Sequence, residues 1–404
     1  MRLKNKMDIA ELKKHKFIVL CYEHYTPLGV IRSLGEYGIN PIAIIVRNRK
    51  NKIASKSKYL REVYFVENEE EQYELLVNKY GKEQYKPFVY PCDDNITAIC
   101  DQHYEEIKEK FYISNAIKNG QITYFQNKNN INLLAQKHGL NVARTWIKKK
   151  GTIPEDIVYP VMTKTIASTS GAWKEDYYVC SSEAELLDAY TKIKGNDLLL
   201  QQYIKKKTEI ALDGVSVNNG KQYITIASRY TYALPDNYSA EMIVGNYSEI
   251  PHFEETKKAL DGMFQEIGYD GIFEVEFMVD ADETLWFLEI NFRSSTWNYA
   301  ATKLGMNLPI LWANAQLDKV LPNDAEKKVP SGYKAMAELP DFGWRVLKKR
   351  ISLKNWIKEV KSCNCLYFYN KEDMKPFRSA VYWKIQNKVV KIINKKLFGK
   401  KYRW

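Results

Sequence analysis

Nowhere in the 404 residues do about 18 apolar residues run together, so no helix is expected to cross a bilayer. The charged start, residues 1–16, is followed by an apolar run of only residues 17–22 before Glu23 and His24, too short for the core of a secretory signal. Cysteine is sparse. Cys21, Cys92, Cys100, Cys180, Cys363 and Cys365 are scattered, and the last two lie too close for a usual zinc spacing, which points to reduced, mostly structural thiols. The five histidines form no HxxxH or HxH pair, so any metal should be held by oxygens. A stripe of basic charge is lacking too. Of the net +12, residues 371–404 carry eleven Lys or Arg against two acidic residues, and the rest is nearly balanced, which argues against a nucleic-acid enzyme. A cytoplasmic protein is expected.

The length exceeds what one hydrophobic core usually serves, so two or three units should share an interface. With 45% hydrophobic and 27% charged residues the chain has ordinary globular usage and should fold. Apolar residues 17–22, a helical pattern over 28–37 ended by Gly38, and apolar residues 41–46 read as a βαβ unit. Strands at 62–66 and 87–90, with helices at 69–80 and 96–111, extend it to an open parallel sheet of about four strands. Ligands gather beyond the carboxyl ends of such strands, here residues 23–29 and 91–95, although the GxGxxG fingerprint is missing. Thr26-Pro27-Leu28-Gly29 could start a helix beside a substrate anion, or simply cap one. Farther on, a helical pattern over 131–139 precedes a strand at 159–166 and the small-residue loop Ala167-Ser168-Thr169-Ser170-Gly171. A strand at 177–180, a helix at 182–193 and strands at 198–204, 209–217 and 222–229 follow.

The strongest physical signal lies in two apolar runs, 271–279 and 285–291, flanking the polar turn Asp280-Ala281-Asp282-Glu283-Thr284. A two-residue loop at Asp282 and Glu283 would set Val279 against Trp286 and Glu276 against Glu289. Alternation then places Glu274, Glu276, Glu289 and Asn291 on one face. Phe273, Val275, Phe277, Trp286, Leu288 and Ile290 take the other. Two carboxylates directly opposed repel by about 4 kcal/mol at ~4 Å in a medium of effective dielectric constant ~20, unless a cation bridges them. Oxygen ligands of this kind suit Mg²⁺, which keeps water and substrate phosphates in its other positions. A solvent-facing strand whose glutamates pair with lysines would give the same pattern.

The segment Phe287-Leu288-Glu289-Ile290-Asn291-Phe292-Arg293-Ser294-Ser295 resembles the ExNxR signature that ends the ATP-grasp fold, with Phe292 in place of the usual Pro. The resemblance covers residues 126–317, and residues 1–114 fit the unit that usually precedes that fold. It implies that Glu276, Glu289 and Asn291 hold Mg²⁺ and that Arg293 binds phosphate or acyl-phosphate oxygens. It further implies that Lys128 and Lys164 are the two nucleotide lysines and that Ser168, Thr169, Ser170 and Gly171 belong to a phosphate lid. Gln201, Gln202, Tyr203 and Ile204 resemble the adenine hinge, with Gln202 in place of the usual Glu, and Glu209 stands where the ribose is often met. Read without the resemblance, Lys128 is a solvated helix-start residue and Lys164 snorkels along its strand.

The fold class this implies is mixed α/β and α+β. A parallel-sheet pre-ATP-grasp domain (1–114) leads into a two-lobed ATP-grasp domain (115–320, small lobe about 145–200) and a basic helical C-terminal extension (321–404). The implied activity is ATP-dependent ligation of a small-molecule carboxylate to an amine through an acyl phosphate, with Arg293 stabilising the oxyanion. Arg229 is either a substrate-carboxylate ligand or an ordinary ion-pair partner. Residues 28–34 and the chain length look like carboxylate-amine ligases, including the D-aspartate ligases of Gram-positive cell walls. A carbamoyl-phosphate-synthase-like enzyme and a non-catalytic nucleotide-binding protein are the rival readings. In the tail, Lys384, Lys388, Lys391 and Lys395 fall on one helical face and Tyr382, Ile385, Val389, Ile392, Ile393 and Leu397 largely on another. Such a helix either packs its apolar stripe on the protein or lies on an anionic membrane.

Overall fold

The computed structural model describes residues 9–47, 52–165, 177–193, 195–232 and 239–398. Strands β1 (Phe17–Tyr22), β2 (Ile42–Val46), β3 (Glu62–Val66) and β4 (Phe88–Pro91) form a parallel sheet in the order β3-β2-β1-β4. β1 and β2 are apolar throughout because both faces are covered, as parallel sheets require. Ile18, Leu20, Ile42 and Ile44 meet the helices Glu69–Tyr80 and Asp94–Gln102 on one side. Phe17, Val19, Cys21, Ala43 and Ile45 share a core with Trp312 and Leu311 on the other. The helical stretch expected over 96–111 is broken at His103 into Asp94–Gln102 and Tyr104–Ile107.

A four-stranded sheet, β5 (Thr145–Lys149), β6 (Val161–Thr165), β7 (Val179–Cys180) and β8 (Asp197–Gln202), makes a small lobe in the order β5-β8-β6-β7 around its own apolar cluster. β9 (Thr208–Val217), β10 (Gln222–Tyr230), β11 (Glu241–Asn246), β12 (Gly271–Val279), β13 (Leu285–Asn291), β14 (Lys334–Met336) and β15 (Cys365–Leu366) form the third sheet, ordered β13-β12-β9-β10-β11-β14-β15. The helix Phe253–Ile267 lays Leu260, Met263, Phe264 and Ile267 into a cluster with Phe273, Val275, Phe277 and Val279 of β12. On the other face Ala211 and Val215 of β9 join the cluster of Leu311 and Trp312, with polar Asp213 between them.

The segment after residue 321, expected as an appended extension, contributes β14 and β15 to this sheet. Among the described residues no helix is long and apolar enough to cross a membrane. The last helix, Met374–Phe398, is turned relative to the expected faces: Ala380 is buried, and Phe377 and Val381 pack beside it. Lys384 follows one turn on, and its Nζ donates to the Leu339 carbonyl (2.6 Å) while burial lowers its pKa. Tyr382 and Ile385, expected on the packed stripe, are 63% and 57% exposed. A lysine stem lies well along an apolar surface when its ammonium reaches a carbonyl, so charge alone does not decide which face is outward. The side chains of Lys388, Lys391 and Lys395 lie outside the described residues.

Candidate active site

In the β12–β13 pair Glu276 stands opposite Glu289 and Glu274 opposite Asn291. The turn reaches this pairing by a different route from the expected one. Val279 pairs with Leu285, enclosing residues 280–284, and Leu288 is the extra residue of a β-bulge that restores the register at Glu289. Asp280 is the reason. Its Oδ1 accepts from the Asp282 and Thr284 amides (3.0 Å each) and its Oδ2 from Trp286 Nε1 (2.9 Å), a side-chain-built turn that needs the longer loop. Leu285 and Phe287 therefore enter the core, while Trp286 and Leu288, expected there, help wall a cleft.

On the neighbouring strand Asp213 pairs with Glu274, Ala211 with Glu276 and Glu209 with Met278, so Glu209, Asp213, Glu274, Glu276 and Glu289 share one sheet face. Asn291 Nδ2 donates to Glu274 Oε2 and Glu276 Oε1 (3.0 Å each), and its Oδ1 accepts from Arg293 Nη2 (3.1 Å). Arg293 also grips Asp94, Nε to Oδ1 at 2.7 Å and Nη2 to Oδ2 at 3.1 Å, across the boundary with the first sheet. Lys128, first residue of the helix Lys128–Lys137, reaches Glu289 Oε2 at 3.1 Å. Burial, then the charges of Glu274 and Glu289, push the Glu276 carboxyl up to about 9. Burial, then Asp213, push Glu274 up to about 8. The floor is short of positive charge.

Asp213 is fully buried. Its Oδ1 accepts from Ser295 and from Asn298 Nδ2 (2.9 Å), its Oδ2 has no hydrogen-bond partner, and burial raises its pKa to about 7. A carboxyl that binds its proton more tightly folded than unfolded makes the folded state lose stability as pH rises from about 4 to about 7, by up to ~1.4 kcal/mol per pH unit. Denaturant titrations of Asp213→Asn across this window should show a flatter pH dependence than the parent chain. An unchanged slope would refute the assignment.

Two cavities meet at this floor. One of about 800 Å³ runs between the small lobe and β12–β13, lined by Lys128, Val142, Met162, Leu199, Gln201, Gln202, Met278, Trp286 and the two glutamates. The other, about 360 Å³, is lined by His24, Thr26, Asp93, Tyr230, Glu274, Arg293 and Trp297, again with Glu276 and Glu289. Its outer wall is the carboxyl end of β1 and β4, where ligands of an open α/β sheet gather. The helix behind Thr26 starts at Tyr25, with His24 as its cap accepting from the Thr26 amide.

No protein-family model matches the sequence, and a search of curated proteins finds no match. Solved structures do. The L-amino acid ligase from Bacillus licheniformis aligns with a TM-score of 0.56 at 14% identity, over 77% of this chain and 76% of that one. The N5-carboxyaminoimidazole synthetase from Staphylococcus aureus aligns at 0.57 and 18%, over 76% and 78%. The biotin carboxylase domain of the Hydrogenobacter thermophilus 2-oxoglutarate carboxylase, in complex with MgADP and bicarbonate, aligns at 0.58 and 19%, over 81% and 76%. The chain has the ATP-grasp fold.

Within the ATP-grasp fold, Glu276, Glu289, Asn291, Arg293 and Lys128 come together as described. Gln201 and Gln202 line the large cleft; Gln202 Oε1 accepts from the Arg144 amide (3.3 Å), which ties the end of β8 to the residue before β5. Tyr203 and Ile204 follow β8, where the Tyr203 amide donates to the Pro160 carbonyl (2.8 Å) and Ile204 is buried. Glu209 is held by Lys206 (2.7 Å). Lys164 of β6 pairs with Leu199 of β8, two residues from cleft-lining Met162, and its side chain lies outside the described residues. So do Ser168, Thr169, Ser170 and Gly171 entirely. Arg229 lines neither cavity. It neighbours Tyr230 on β10, so alternation turns it to the opposite face, where its Nη2 meets Glu283 Oε2 at 2.7 Å, the ordinary ion pair of the two readings. Phe292, in the place of the usual Pro, is buried edge-on against Tyr269. Sequence reasoning missed Asp213, and reached Asp93 and Asp94 only as members of the segment 91–95. The polar positions Glu209 and Asp213, alternating with apolar neighbours, were a readable signal for the first.

Proposed function

We propose that this protein is an ADP-forming ligase that activates a carboxylate as an acyl phosphate and joins it to an amine, in the cytoplasm. The observation that carries this reading is that Glu276 and Glu289 line both cavities, so a group leaving one enters the other across a single carboxylate pair. A cleft of about 800 Å³ suits a nucleotide, with apolar Val142, Met162 and Leu199 around a base and Lys128 towards the phosphates. The smaller cavity suits the acid and the amine.

Among the described residues no group of three His, Cys, Asp or Glu side chains is arranged to hold a metal. Two carboxylates and an amide, all hard oxygen donors on a floor short of positive charge, fit Mg²⁺ that keeps water and phosphate ligands. Glu276 and Glu289 would hold it, with Asn291 joining through its oxygen once the amide turns over, since its nitrogen now faces the glutamates. Bound there, Mg²⁺ supplies Lewis-acid neutralisation of phosphate charge. The chain's own part is positional: Lys128 and Lys164 neutralise phosphate oxygens, and Arg293, oriented by Asp94, presents its guanidinium to the developing oxyanion.

Arg293→Ala should lower kcat by about a hundredfold to a thousandfold, as loss of one oxyanion donor does, with nucleotide affinity little changed. Steady-state kinetics alongside calorimetric ATP titration separate the two; loss of ATP binding instead would move Arg293 to the nucleotide. Lys164→Ala should do the reverse and chiefly weaken ATP binding. Unchanged nucleotide affinity would remove it from the phosphate site.

Mass spectrometry of amino acids and cell-envelope precursors, offered in pairs with ATP, tests the reaction. A condensed product with ADP and phosphate supports it, and AMP with pyrophosphate contradicts it. ADP release dependent on bicarbonate alone would favour a carbamoyl-phosphate-type reaction, and tight nucleotide binding with no product a non-catalytic role.

A further inference from the structure

The charge outside the tail is not evenly spread. Residues 343–362 carry Arg345, Lys348, Lys349, Arg350, Lys354, Lys358 and Lys361 against Glu359 alone. This segment holds the helix Leu353–Ser362, which has no buried residue. One side of the helix is anchored. Trp356 packs edge-on against Phe342 and donates to Asp341 (2.8 Å), and Glu359 takes both terminal nitrogens of Arg345 (2.5 and 3.2 Å).

The apolar stripe continues past that anchor into solvent. Leu353 and Ile357, one turn apart, are 52% and 40% exposed, and Leu347 in the preceding turn is 59% exposed. Lys354, Lys358 and Lys361 follow at steps of four and three on the adjoining stripe, and Lys348, Lys349 and Arg350 stand beside Leu347; all six are exposed. Apolar side chains are thus bordered by cations on both the helix and its lead-in turn.

We propose that the helix Leu353–Ser362 with its lead-in turn is a docking surface for an anionic lipid bilayer. Leu347, Leu353 and Ile357 enter the headgroup boundary, and the lysines meet lipid phosphates. The single acid of the segment, Glu359, is paired with Arg345. Charge complementarity and exposed apolar residues together select a membrane over nucleic acid, which offers no apolar layer for leucine and isoleucine. This surface differs from the tail expected from sequence, whose Lys384 is turned inward.

Co-sedimentation of the full chain with phosphatidylcholine vesicles, with and without phosphatidylglycerol, tests it. Binding should require the anionic lipid and weaken with salt. Leu353→Ser with Ile357→Ser, and separately Lys354→Glu with Lys358→Glu, should each lower binding at least about tenfold. All four positions are exposed, so folding is retained, which circular dichroism checks. Lys391→Glu with Lys395→Glu should leave most of the binding intact. No binding by the full chain, equal binding to neutral vesicles, or loss only in the Lys391/Lys395 variant overturns the proposal. So does a dimer by sedimentation velocity that the Leu353/Ile357 variant dissolves, or nucleic-acid retention that the Lys354/Lys358 variant abolishes while vesicle binding persists.

Discussion

Glu289→Ala is expected to abolish turnover while the chain stays folded. The side chain is partly exposed, pairs with Lys128 at 3.1 Å and stands opposite Glu276, so its removal takes away like-charge opposition rather than core packing. What is lost is an anionic oxygen shared by the two cavities. If it contributes to holding Mg²⁺, several kcal/mol of transition-state stabilisation go with it, a fall of roughly a thousandfold or more in kcat. Thermal unfolding should shift by no more than a few degrees, with any change towards stability. Near-normal activity at saturating magnesium would sink the metal assignment.

Asp373→Ala should have the largest effect on stability, although it is far from the carboxylate floor in sequence and touches neither cavity lining. Arg32 and Asp373 are both fully buried and pair at 3.1 Å. Arg32 further donates to the carbonyls of Tyr367 (2.8 Å), Phe368 and Asp373 (3.0 Å each). Asp373 accepts from the Ser57 hydroxyl (2.8 Å) and the Lys58 amide (2.9 Å). Removing one partner leaves a buried guanidinium uncompensated, which typically costs about 3 to 5 kcal/mol. Tyr367 packs edge-on against Trp297 at 5.3 Å, and Trp297 walls the smaller cavity, so that wall should loosen as well. Denaturant unfolding measures the loss; a change below about 1 kcal/mol would show that the cluster is open to water.

The Arg32 network shows why part of this protein could not be read along the chain. Arg32 stands within a helical run, and its partner lies 341 residues later, in the segment whose sequence reads as a C-terminal extension. No local pattern marks such a pair. The same holds for β14 and β15: strands of three and two residues have no measurable period, and they exist because the edge of β11 offers unpaired backbone groups. Arg229 was undecided between two roles because a strand residue's face depends on which neighbours the sheet supplies.

Where physics is local, the chain was legible. β1, β3 and the helix Glu69–Tyr80 have the boundaries their apolar periods mark, and the Glu276–Glu289 opposition follows from two strands joined by a short polar turn. Alternation separates the carboxylate face from the core on each strand, but with the longer loop it is the bulge at Leu288 that keeps Glu289 on the face of Glu276. The Asp280 turn and the bulge at Leu288 then redistribute Trp286 and Leu288, because side-chain hydrogen bonds set the loop length. The meeting of the two cavities, the grip of Asp94 on Arg293 and the unpaired oxygen of Asp213 belong to the assembled molecule. Each joins residues that no short-range periodicity relates, and burial, which fixes their energies, exists only once the sheets have packed.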